Sequence, residues 1–167
     1  MATLNVSLDS AFSHPLDTVE QLVEFNEWPF DRRNHEEMAV QVPGTWCDYS
    51  LYFAWNGDME AMHFTCAFDI RIAEEKREQA GGLLAAINEK LWLGHFGLWG
   101  EEGLPMFRTT LLLRGHSGLT VEQAEDLVET AIIECERFYP AFQHVIFGGK
   151  TAREAVEAAM IETVGEA

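Results

Sequence analysis

The chain has 167 residues, enough for one domain to bury a core without disulfides or metals, and a formal charge of 11 − 28 = −17. Such a surface repels phosphate backbones and anionic lipid headgroups, and basic residues gather only as Arg32-Arg33 and Lys76-Arg77, so neither nucleic acid nor membrane is an expected partner. Cys47, Cys66 and Cys135 are too scattered for a disulfide framework, no apolar run approaches the roughly 18 residues of a membrane span, and the first residues lack a signal-peptide pattern, which together point to the cytoplasm.

Residues 1–12 are weakly patterned. Pro15 then suits the first turn of a helix with Leu16, Val19, Leu22 and Val23 on one side, and Trp28-Pro29 breaks it. Alternation over Met38–Val42, ending at Pro43-Gly44, predicts a first strand. A second over Thr45–Trp55 sets Tyr49, Leu51, Phe53 and Trp55 against Asp48, Ser50, Tyr52 and Ala54. Asn56-Gly57 predicts a type I′ turn. The third strand, Glu60–Arg71, places Met62, Phe64, Cys66, Phe68 and Ile70 on one face, with His63 and Thr65 opposite.

From Ala73 the period becomes helical, with Ala80, Leu83, Leu84, Ile87 and Leu91 aligned. Gly81-Gly82 costs roughly 1 kcal/mol per glycine relative to alanine, which a close packing contact would justify. Gly94–Arg114 predicts a β-hairpin whose turn is Gly100-Glu101-Glu102-Gly103. Thr120–Gln123 is a capping box opening a long helix with a stripe of Val121, Ala124, Val128, Ile132 and Cys135, which Pro140 should kink or end. Thr151–Glu154 is a second capping box, so residues 150–167 hold an additional C-terminal helix whose last residues, from Val164, should fray. The order α-β-β-β-α-β-β-α plus that helix predicts one α+β domain over residues 1–167, an antiparallel sheet of about five strands with helices packed on it.

No catalytic, cofactor or metal site is predicted. Six histidines show no zinc-ligand spacing, and His35-Glu36-Glu37 reads as a solvated loop. His63 and Cys66 project to opposite strand faces, and Cys66 reads as a small buried hydrophobe. Gly115-His116-Ser117-Gly118 lacks a nucleophile-elbow context, and Gly148-Gly149-Lys150-Thr151 lacks the first glycine of a phosphate loop. An enzyme is not expected.

Arg108 shares a strand face with Met106, Thr110 and Leu112, where an arginine pairs with a carboxylate or lies over a ring. Trp92, Phe96, Trp99 and Phe107 form an aromatic neighbourhood read first as core or dimer packing and second as partner binding. Leu111-Leu112-Leu113 leaves that strand no polar face, so a helix or a second copy should cover it. The candidate partner or ligand surface is therefore Trp92, Phe96, Trp99, Phe107, Arg108, Leu111 and Leu112, in a chain expected to be a homodimer.

Gly-His-Phe-x-Leu-Trp from Gly94, an acidic turn with glycines, an apolar residue, Phe107-Arg108 and a run of leucines resemble the hairpin of the YbjN-type family, bacterial sensory transduction regulators. The resemblance spans roughly residues 15 to 148. It implies a fold like that of the small acidic dimeric chaperones of type III secretion. It also implies a non-catalytic protein-binding module, a chaperone-like or regulatory adaptor for a protein client; the alternative is a small-molecule sensor with its ligand near Trp99 and Arg108.

Overall fold

The structure, a computed structural model, describes residues 12–165, with side chains to Ile161. The weakly patterned N-terminal stretch lies outside the described residues except for Phe12, and of the tail from Val164 only helical backbone to Gly165 is described. Helix α1 is Pro15–Phe25, started by Pro15 and capped by His14, whose Nδ1 accepts from the Leu16 N–H at 3.2 Å. Leu16, Val19, Leu22 and Val23 are buried, as their spacing predicts.

The sheet is antiparallel and has six strands rather than about five, in the order β1-β2-β3-β4-β6-β5. The additional strand is β1 (Phe30–Arg32), a three-residue edge too short to show a period, paired with Met38–Val40. Arg32 ties it to α1 through Asp17 and Glu20, both at 2.7 Å. Then come β2 (Glu37–Pro43), β3 (Asp48–Asn56) and β4 (Ala61–Ala67). The Asn56-Gly57 turn is not type I′. The connection is the four residues 57–60, in which Asn56 Oδ1 accepts from the Met59 N–H at 3.1 Å and Glu60 takes the left-handed conformation at φ 48°. Asparagine's capacity to hold a local backbone amide has overridden the dipeptide preference.

A 3₁₀ turn, Glu74–Lys76, leads into α2 (Arg77–Asn88), which buries Ala80, Leu83 and Ile87. Leu84 is only half-buried and Leu91 lies past the helix. Gly81 and Gly82 are exposed within an unbroken helix, and a Cβ on either would meet nothing within 4 Å, so no close contact requires them. The hairpin forms as predicted from β5 (His95–Trp99) and β6 (Leu104–Leu112), in a register opposing Trp99 to Leu104 and His95 to Arg108. In its turn Gly103 alone has positive φ, 66°. Arg77 donates to the carbonyls of Gly100 and Glu101, fixing that turn to α2.

Helix α3 (Val121–Ile146) opens with the predicted capping box. Ala124, Val128 and Cys135 are buried, whereas Val121 is exposed and Ile132 half-buried; the seam runs instead through Leu127, Ala131 and Phe138. Pro140 does not end the helix, which continues six residues beyond it. Burial of Ala141, Phe142, Val145 and Ile146 offsets the roughly 3 kcal/mol a mid-helix proline costs. The Gly148-Gly149 stop holds, with the Lys150 N–H returning to the His144 carbonyl. Helix α4 (Ala152–Gly165) is capped by Thr151 and packs Ala155, Val156 and Ala159 against α2 and α3.

Packing divides the sheet's two faces. The inner residues of every long strand join the helices in one core, centred on Phe68, Phe96, Phe107, Phe138 and Phe142. Helices α1, α2 and α3 all pack on that side, so the opposite face is left open to solvent.

Candidate functional site

Strand alternation and register compose the open face. One row across the sheet reads Ala39, Tyr52, Thr65, Arg108 and His95; the next reads Glu37, Ala54, His63 and Thr110. A third carries Met106 beside Gly97, and the hairpin end adds Trp99 opposite Leu104. Sheet twist leaves a concavity of about 400 Å³ among these side chains, bounded by Arg33, Tyr52, His63, Trp99, Met106 and Arg108.

The polar groups here are held from the side. Arg108 Nε donates to His95 Nε2 at 3.1 Å, and its terminal nitrogens have no protein partner among the described residues. Neither the carboxylate nor the ring expected for it is in that set: Glu37 and Glu102, which line the concavity, make no ion pair with it within 4.0 Å, and the guanidinium groups lying over rings are those of Arg33 and Arg137. Glu37 instead accepts from Asn34 Nδ2 at 3.1 Å. The Arg33 guanidinium lies over the Tyr52 ring, 5.7 Å from its centroid, and Trp99 meets Tyr52 edge to face with centroids 5.5 Å apart. His63 Nδ1 and the Thr110 hydroxyl are 2.8 Å apart. Burial, then the charges of Arg108 and His95, holds the His63 imidazole below its usual range, which favours its neutral form.

The structure splits the residues the sequence singles out. Trp99 and Arg108 share the concavity. Phe96 and Phe107 do not belong to a surface at all: they are 2% and 0% exposed, in the aromatic core, because the hairpin's inner face is covered by α2 and α3. Trp92 stands fully exposed in the loop before β5, away from that cluster. Leu111 is half-buried and Leu112 is 70% exposed on the open face, so no described helix of this chain covers the outer side of the leucine run, and Arg108 and Thr110 give β6 a polar outer face. Arg33, Tyr52 and His63 are site members the sequence does not mark out. For Tyr52 and His63 the signal was the polar side of each alternation, which becomes a site only once the strands are in register, whereas Arg33 lies in the loop after β1, where no periodicity marks it.

Burial works against each cysteine as a nucleophile. Cys66 and Cys135 are fully buried with sulfurs 3.6 Å apart, and the Cys47 thiol is pushed up to about 12, chiefly by burial. Among the described residues no group of three His, Cys, Asp or Glu side chains could hold a metal ion, and no helix is long and apolar enough to cross a membrane.

Helices thus cover one face of this α+β sheet, and the other face carries an open concavity lined by aromatic and guanidinium groups. The chain belongs to the YbjN family, whose sequence model, described as "putative bacterial sensory transduction regulator", matches residues 15–144. A crystal structure of YbjN from E. coli, described as a "putative transcription regulator", is similar at 14% identity and a TM-score of 0.49, over 88% of this chain and 93% of that one. Among curated proteins none matches the chain.

Proposed function

We propose that the chain is a non-catalytic regulatory protein that senses a small molecule on the open face of its sheet. What carries this reading is the concavity holding Trp99, Tyr52 and an Arg108 whose terminal donors have no protein partner among the described residues. Unspent charged donors beside an apolar wall suit a ligand better than they suit folding. A thermal-shift screen of a metabolite library tests it. A compound that stabilises wild type but not Trp99→Ala supports sensing, and a library without any such compound argues against it.

The second reading, an adaptor for a protein client or a second copy of the chain, is favoured by the exposed apolar Trp92, Leu93 and Leu112. It expects a dimer in sedimentation at micromolar concentration that Leu112→Lys shifts toward monomer, or a client whose capture Trp92→Ser abolishes. Both readings are consistent with a cytoplasmic regulator.

A further inference from the structure

We propose that the open-face concavity is a site for a small organic anion, a monocarboxylate carried on a planar ring. The assignment rests on the sensing reading above and names the class of ligand.

Charge and shape point the same way. In a chain of net charge −17, two guanidinium groups and His63 line this one depression, their charge matched by Glu37 and Glu102, and His95 stands behind Arg108. Because Arg108 is fixed through Nε to His95, its outer edge of two terminal N–H₂ groups is presented pre-oriented, the arrangement that takes a carboxylate bidentately. Trp99 and Tyr52, at an interplanar angle of 75°, form a corner in which a flat ring stacks on one wall and meets the other edge-on. The volume, about 400 Å³, suits a small molecule rather than a length of folded partner. Glu37 and Glu102 at the rim set an upper limit on ligand charge. They oppose a phosphate dianion more strongly than a carboxylate, and this selects between the two anion types.

The test is a titration of the whole chain followed by ¹⁵N–¹H correlation spectra, using 2-naphthoate, its uncharged counterpart 2-naphthylmethanol, and inorganic phosphate. Saturable shifts of the Trp99 indole N–H, assigned through Trp99→Phe, are expected with 2-naphthoate. Binding should weaken roughly tenfold or more in Arg108→Gln, the loss of a charge-assisted pair. Phosphate should neither reproduce the shifts nor displace the probe. If 2-naphthylmethanol binds the Trp99 corner as tightly as 2-naphthoate, the anion assignment is overturned while the open face stands as a recognition surface. Phosphate binding as tightly as 2-naphthoate overturns the monocarboxylate class. Shifts confined to the groove between α1 and α3, lined by Phe25 and Ile133, overturn both the assignment and the sensing reading. The probe comparison on wild type decides the question even if the arginine variant folds poorly.

Discussion

His14 begins the first helix with a group that titrates. Its Nδ1 accepts the Leu16 N–H only while unprotonated, and burial, then the charges of His35 and Arg32, holds its pKa below the usual 6.5. The folded chain therefore binds fewer protons here than the unfolded chain does. Stability from this group is fully present above about pH 6.5 and is lost as the pH falls through the lowered folded value. His63, shifted in the same direction, adds to the effect. Denaturant midpoints at pH 7.5 and 5.5 should differ, and the difference should shrink in His14→Asn, a cap that does not titrate and otherwise preserves about 1 kcal/mol of capping. An unchanged difference would show that this histidine is not the sensitive group.

At the scale of elements, glycines separate permissive from obligatory positions. Gly81→Ala and Gly82→Ala should each stabilise α2 by about 0.5–1 kcal/mol, since an added Cβ meets nothing within 4 Å. Gly94→Ala should destabilise by about 1–3 kcal/mol, because φ is 67° and the new Cβ would lie 2.4 Å from the Phe107 ring. Thermal melts rank the three, and a stabilising Gly94→Ala would refute the close approach. Asn88, at the end of α2, donates to the Phe96 carbonyl at 3.1 Å and accepts the Phe96 N–H at 2.7 Å, occupying the outward groups of the edge strand β5. Asn88→Ala should cost about 1–3 kcal/mol and speed amide exchange at Phe96. On α2 itself, Leu83→Asp should be far more damaging than Leu84→Asp, since one side chain is fully buried and the other half-buried.

These elements were largely legible because their signals are local. Pro15, the boxes at Thr120 and Thr151, and the glycines around the hairpin act within a few residues of themselves. What was not legible depends on contacts elsewhere. Strand β1 exists because β2 offers it an edge and α1 an ion pair, and Pro140 stays within α3 because the residues after it have a core to enter.

For the whole molecule, the decisive fact is which side of the sheet the helices take. Trp99 and Arg108 could be marked from sequence as a pair of interest, but Phe96 and Phe107 could not be separated from them until the hairpin's inner face was seen against α2 and α3. Tyr52 and His63 joined the site through cross-strand register, which single-strand periodicity does not specify. One consequence of this division concerns how the protein reports on itself optically. None of its five tryptophans is fully buried: Trp28 and Trp55 are half-buried, and Trp46, Trp92 and Trp99 are exposed. Indole emission from the native state will already be partly red-shifted, with only Trp28 and Trp55, packed against the core, left to shift much further on unfolding, while the core's phenylalanines are silent at that excitation. Global unfolding is better followed by circular dichroism, which leaves tryptophan emission free to report occupancy at Trp99.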